Sequence, residues 1–237
     1  MERTLVCGRF SFFARRTDIA AAFPFVLLAP DFDAIVPPRY NIAPAQRTPI
    51  VRSDLHASLA TWGLGIPHTF NARAESVAER PLYRRSFVER PALVPANGWF
   101  EWEPTPSGKR PFYITADDER PLLFAALWEL RDGSPCFSIL TRASRFELAP
   151  IHHREPVVIE PADALHWLDE HTSPQHRHQL LVPRSDRAPH FYPREVTRSV
   201  NDIGNDGADL LASPTSAESV RDLPLFPLSP EPVSARR

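Results

Sequence analysis

Cys7 stands in Val6-Cys7-Gly8-Arg9-Phe10, and its chemistry depends on its place in the chain. A cysteine at a chain's first position carries two nucleophiles on adjacent carbons. Its amine condenses with an aldehyde, and its thiol then closes a five-membered thiazolidine ring. As written, Cys7 is internal and its nitrogen is a peptide amide. A start at Val6, whose GTG codon also initiates translation in bacteria, would read Met-Cys-Gly-Arg-Phe. An initiator Met before a small side chain is trimmed; one before the large Glu2 resists trimming. Residues 1–6 are therefore expected to be a misassigned start or a pro-segment.

Other residues could serve such chemistry. Glu101 lies in Val94-Pro95-Ala96-Asn97-Gly98-Trp99-Phe100-Glu101-Trp102. Strand alternation puts it on one face with Trp99, and Phe100 and Trp102 on the other. A carboxyl group beside indole and away from water has a raised pKa, which suits proton transfer near neutral pH. The same residue could instead be tied to Arg73 or Arg9 as structural glue. His152, in Ile151-His152-His153-Arg154-Glu155-Pro156, titrates near about 6.5 when unperturbed and can move protons, or it can be structural. Asn71 can orient a reacting group by hydrogen bonds. Arg9, Arg73 and Arg154 have the planar fork that matches phosphate, and each could equally pair a carboxylate.

The elements that must position these residues read as short strands. Prolines number 27 against 8 glycines and interrupt the chain every few residues from Pro37 to Pro67, which disfavours long helices. Strand-like runs are Thr48–Val51, Ala92–Pro95, Trp99–Trp102, Pro111–Thr115, Leu122–Trp128, Cys136–Thr141 and Pro156–Ile159. Helical candidates are Thr17–Phe23 with Thr17 as N-cap, Ser144–Ala149, and Pro161–Asp169. The expected fold is α+β, with a mostly antiparallel, partly closed and barrel-like sheet and a few short helices. One domain spans residues 7–212. Residues 213–237, rich in Pro, Ser, Glu and Arg, are expected to be a disordered tail.

Composition excludes several classes. The chain has 237 residues, 43% of them apolar, and no run approaches the ~18 apolar residues that span a bilayer. No basic-then-apolar signal peptide opens it. The expected setting is the cytoplasm, without a membrane. Cys136, in a strand-like run, reads as a small buried hydrophobe. His171, His176 and His178 lack the partners and spacing of a metal site and read as a polar loop; no metal or cofactor is expected. The net charge of −2 leaves no overall footprint for nucleic acid. Local clusters (Arg9, Arg15 and Arg16; Arg73, Arg80, Arg84, Arg85 and Arg90) could still gather on one face.

Six motifs in order carry a family resemblance: Cys-Gly-Arg-Phe from Cys7, Tyr-Asn-Ile-Ala-Pro from Tyr40, Trp-Gly-Leu from Trp62, Asn-Ala-Arg-Ala-Glu from Asn71, Val-Pro-Ala-x-Gly-x-x-Glu-Trp from Val94, and Ile-His-x-Arg-x-Pro from Ile151. Together they resemble the SOS-response-associated peptidase (SRAP) family of abasic-site processing proteins. The likeness runs from Cys7 to about Leu210 and takes in Val200-Asn201 and Asn205-Asp206-Gly207. It implies binding of single-stranded DNA with an abasic site, and a covalent thiazolidine between an N-terminal cysteine and the ring-opened sugar aldehyde. Cys7 would be the nucleophile, Asn71 would hold the open sugar, and Glu101 and His152 would handle protons. Arg9, Asn41, Arg73 and Arg154 would follow the DNA phosphates, and Trp62 could stack on a neighbouring base. The protein would act as a monomer, and on damaged DNA it would be nucleoid-associated.

The chain departs from that pattern in four places. The Trp62–Asn71 stretch is short. Glu155 stands where relatives usually have Met, so that an acid beside His152 could raise its pKa or pair with Arg154. Ala92 replaces a frequent Cys. Residues 1–6 would block the Cys7 amine if retained. Two other functions compete. One is a thiol peptidase in which Cys7 attacks a peptide carbonyl with His152 as base, limited in one version to cutting Val6–Cys7. The other is a DNA-binding module in which Cys7 stays blocked.

Overall fold

The computed structural model describes residues 7–66, 68–116, 118–182 and 190–215. Residues 1–6, and the expected tail from residue 216 onward, lie outside the described residues. The chain runs β1 (Arg9–Phe12), α1 (Arg16–Ala22), α2 (Phe32–Ile35), β2 (Arg39–Ile42), β3 (Arg47–Val51), β4 (Ala57–Trp62) and β5 (Asn71–Arg73). It continues with α3 (Arg84–Glu89), β6 (Pro91–Ala96), β7 (Gly98–Thr105), β8 (Gly108–Ala116), β9 (Leu122–Arg131) and β10 (Ser134–Ala143). β11 (Arg154–Pro156), α4 (Pro161–Leu168), α5 (Pro174–Gln179) and β12 (Phe191–Glu195) complete it.

The strands form two sheets. The first has the order β12-β8-β7-β1-β2. In the second, β10, β4, β3, β6 and β9 close into a ring, because β9 pairs with both β6 and β10. β5 and β11 attach to β10. Most pairings are antiparallel; β10 runs parallel to β4 and β5. This is the α+β, barrel-like architecture expected from the sequence.

Apolar alternation explains the packing. Phe10 of the first sheet meets Trp62 and Phe124 of the second, with ring centroids 5.0 and 6.0 Å apart. Trp99 meets Phe124 at 6.0 Å. On the other face of β7, Phe100 joins Tyr113, Val196, Val200 and Leu210 in a smaller cluster. The predicted split of β7, with Trp99 on one face and Phe100 and Trp102 on the other, is therefore what separates the two clusters.

Several local expectations are corrected. α1 is capped at Arg15 rather than Thr17, because the Asp18 carboxylate reaches back to the Arg15 amide at 2.9 Å. Ser144–Ala149 forms turns, not a helix. The strand at Pro156–Ile159 begins and ends earlier, at Arg154–Pro156; beyond it Val158 makes only an isolated bridge to Phe124. The expected polar loop holding His176 and His178 is the short helix α5. Pro174 opens it, and the Ser173 side chain accepts from the His176 amide. Residues 197–212 fold back onto the first sheet, against β1, β2 and β7. Asp206 accepts from the Tyr40 and Asn41 amides at 2.6 and 2.8 Å and also binds Arg39.

Candidate functional site

β7 brings Glu101 to the inner side of the first sheet, where β1 lies beside it with Arg9 opposite Phe100. The chain entering β1 carries Cys7, whose φ of 41° is the left-handed conformation that L residues rarely adopt. The Cys7 nitrogen donates to Glu101 Oε1 at 2.9 Å. Asn71, the first residue of β5, donates from Nδ2 to the Cys7 carbonyl at 3.3 Å. Tyr83 steadies Asn71 in turn by donating to its carbonyl at 3.3 Å. His152 Nδ1 lies 3.7 Å from Glu101 Oε2. Cys7, Asn71, Glu101 and His152 thus meet in one place, although up to 145 positions separate them in the sequence.

Electrostatics follow from burial. Glu101 is 2% exposed, and burial pushes its carboxyl group up to about 8, against the opposing pull of hydrogen bonds from Cys7. Burial pushes the His152 ring below its ordinary value against an opposing hydrogen bond with the Arg154 backbone, and the charges of His153, Lys109 and Arg154 add to the lowering. Near neutral pH both groups are mostly uncharged, so a proton donor and a proton acceptor coexist 3.7 Å apart. His152 Nδ1 is tied to the Arg154 backbone, 3.2 Å from its amide and 3.1 Å from its carbonyl. Nε2 is buried and has no hydrogen-bond partner among the described residues. Burial, and the Glu101 carboxylate beside it, raise the Cys7 thiol well above its usual range. Glu101 therefore faces both the nitrogen and the sulfur of Cys7. It is bound to neither Arg73 nor Arg9.

The arginines divide. Arg154 forks onto Glu75 at 2.7 and 2.9 Å and also reaches Thr141. Arg9 donates to Asn41 Oδ1 and the Val200 carbonyl, both at 2.9 Å. Arg73 is exposed, and no ion pair holds it among the described residues. Asn41 is fully buried and donates to the carbonyls of Val200, Asp202 and Asn205, so its side chain holds the C-terminal segment rather than facing a phosphate. Trp62, at 1% exposure, is packed among Phe10, Phe70 and Phe137, and its Nε1 donates to the Phe70 carbonyl. Neither indole face is open to a base, which corrects the stacking role read from the motif. Of the mid-chain cluster, Arg85 pairs with Glu89 and Arg90 lies over Trp128.

Sequence reasoning missed the carboxylate partners. Glu75 was visible inside Asn-Ala-Arg-Ala-Glu, but its pairing with Arg154 needs β5 beside β10. Glu155 pairs with Arg142 and Arg145, not with Arg154, and it does not act on the His152 proton. The alternation of β10 and β11, which sets Arg142 opposite Glu155, was the available signal.

The model of the family described as SOS response associated peptidase (SRAP) matches residues 6–203. The chain is 30% identical over 224 residues to the Abasic site processing protein YedK of Escherichia coli (strain K12), covering 87% of this chain and 99% of that one. It is 24% identical to the Abasic site processing protein HMCES of Gallus gallus, over 73% of this chain and 66% of that one. A solved structure of a protein from Bacteroides thetaiotaomicron matches with a TM-score of 0.73 at 22% identity, covering 87% of this chain and 99% of that chain. The structure of a phage-related protein from Bordetella bronchiseptica matches with a TM-score of 0.63 at 29% identity, covering 82% of this chain and 98% of that chain.

Proposed function

Because the chain belongs to the SOS response associated peptidase family, we propose that it processes abasic sites in single-stranded DNA by forming a thiazolidine crosslink through Cys7. The observation that carries this reading is the 2.9 Å hydrogen bond from the Cys7 nitrogen to the buried Glu101 carboxyl group. A carboxyl group aimed at that nitrogen serves amine chemistry. The relatives' names supply the substrate class.

The reaction needs Cys7 to be the first residue. Its amine, with an ordinary pKa of about 7.7–8.0, then has a neutral fraction at physiological pH. The amine adds to C1 of the ring-opened sugar and forms a carbinolamine. Glu101 in its acid form protonates the leaving hydroxyl, and water departs to give the Schiff base. The Cys7 sulfur then adds to the same carbon, and its proton passes to Glu101 or His152. One water is released and one C–N and one C–S bond are formed. Asn71, already on the Cys7 carbonyl, orients the nucleophile. Exposed Arg73 serves a DNA phosphate. Arg9 and Arg154, whose forks are occupied, brace the site against residues 200–201 and Glu75.

The test starts with intact mass of the native protein and proceeds to single-stranded DNA with one abasic site, read on denaturing gels. A chain beginning at Cys7 should give a heat-resistant adduct that is lost in Cys7→Ala and absent with undamaged DNA. A Cys7-initiated chain that gives no adduct would overturn the proposal. The thiol-peptidase reading has less support: the thiol is pushed up rather than activated, and the His152 ring faces Glu101. Release of peptides from unrelated substrates would favour it instead.

A further inference from the structure

The loop of residues 144–153 joins β10 to β11 and carries His152 near its end. A hairpin loop of this length is ordinarily mobile, yet the His152 ring must stay within reach of Glu101. Part of the answer is apolar. Leu148 and Ile151 are buried, and the His152 amide donates to the Leu148 carbonyl at 3.0 Å. The rest is an ion triad centred on the buried Glu155. Glu155, fully buried, accepts from Arg142 Nε at 2.8 Å and from Arg145 Nε at 3.1 Å through Oε1. Its Oε2 accepts from the Arg145 backbone amide at 3.1 Å. Arg142 reaches onward to the Leu181 carbonyl at 3.2 Å, and the Arg145 guanidinium lies 4.2 Å over the Phe191 ring. Arg145 in turn offers its carbonyl to the amides of Leu148 and Ala149, at 3.1 and 2.9 Å.

Both Glu155 oxygens are therefore spent across the neck of the loop. One end of the tie is the strand that follows His152; the other is the residue from which the loop's turns hang. We propose that Glu155 is a positioning residue: clamped by Arg142 and Arg145, it braces the 144–153 loop so that the His152 ring is held against Glu101. It acts through His152 and does not touch the reacting atoms. Its catalytic consequence rests on the function proposed above; its structural consequence does not.

Two readouts separate these. The first is titration of the His152 ring by NMR in the wild type, Glu155→Gln and Arg145→Gln. The groups facing the ring are Glu101 from β7, Arg154 from β11, His153 beside it and, at longer range, Lys109 of β8. All are unchanged in both variants. In the wild type the burial that the loop imposes keeps the midpoint below about 6.5. Loosening the clamp wets the ring, and the midpoint should rise toward about 6.5. The second readout is crosslinking to single-stranded DNA with an abasic site. The saturated rate should fall about tenfold in Glu155→Gln, a fraction of what a positioned acid–base group supplies. The half-saturating DNA concentration should not change. Glu155→Gln combined with His152→Ala should be no slower than His152→Ala alone.

Folded variants that keep the wild-type midpoint and rate overturn the proposal, and so do losses that multiply in the double variant. If Glu155→Gln does not fold, Arg145→Gln carries the same expectations, because Arg142 still neutralises Glu155 there. A Cys7-initiated wild type that forms no adduct defeats the proposed function, and the NMR titration then decides the role of Glu155.

Discussion

Glu101 is the residue on which the site turns, and its burial makes a stability prediction. Its carboxyl group titrates at 4.5 in an unperturbed setting and at about 8 in the folded chain. Below about pH 4.5 the group is protonated in both states and burial adds no ionic penalty. From there to about 8 the folded chain keeps a proton that the unfolded chain gives up, so folding stability falls as pH rises. The contribution is lost once pH passes the folded value. Glu101→Gln in the chain with an internal Cys7 should remove this slope. Urea unfolding at pH 5 and pH 9 should show the variant gaining on the wild type at the higher pH, by on the order of a few kcal/mol. Parallel losses in the two proteins would show that Glu101 is ionised at neutral pH. In function, the same substitution keeps an acceptor for the Cys7 nitrogen but removes the proton. Adduct formation should slow while DNA binding is spared.

At the scale of elements, β7 must lie tightly between β1 and β8 for Glu101 to meet Cys7. Gly98 permits this. It pairs with Ser11, and a Cβ on it would stand 2.5 Å from the Ile114 carbonyl oxygen and 2.6 Å from Tyr113. Backbone cannot yield as a flexible side chain can. Gly98→Ala should therefore part β7 from β8 and cost about 1–3 kcal/mol or more. For a chain of this size that lowers Tm by roughly 2–4 °C per kcal/mol. A Gly98→Ala protein with wild-type Tm would mean that β7 is less confined than its neighbours indicate. Strands of the second sheet such as Leu122–Trp128 and Cys136–Thr141 were legible in the sequence as short, nearly continuous apolar runs, and both are buried along most of their length. The 144–149 segment was misread because its helical turn continues only through Arg145, Leu148 and Ala149, and periodicity cannot show where a turn stops.

At the scale of the whole molecule, residues 197–212 fold back to the first strands. Arg9, two positions after Cys7, donates to the Val200 carbonyl, and Trp102 donates to Asn201. Asp206 caps the Tyr40 and Asn41 amides. The C-terminal segment is thus part of the frame that holds Cys7 beside Glu101. Asp206→Ala leaves the part-buried Tyr40 and Asn41 amides without this acceptor and takes one partner from Arg39, which keeps Gln46. It should cost on the order of 1–3 kcal/mol and lower Tm by several degrees. Calorimetry on the variant checks this; an unchanged Tm would make the segment an appendage.

The sequence by itself nominated Cys7, Asn71, Glu101 and His152, which the fold brings together. Alternation also placed Glu101 on the face of its strand that carries Trp99. The sequence also determined the fold class, because period-two patterning and frequent proline leave few alternatives to short strands. The tertiary structure alone decided which groups are spent. Asn41 and Trp62 read as ligand contacts in one dimension, but the packing of residues 200–205 and of three phenylalanines consumes them. Glu155 reads as a neighbour of His152, yet its partners are Arg142 and Arg145 across a hairpin. The reason is physical. Residue type fixes what a side chain can bond, whereas burial and the meeting of distant strands fix what it does bond, and through desolvation where its proton sits.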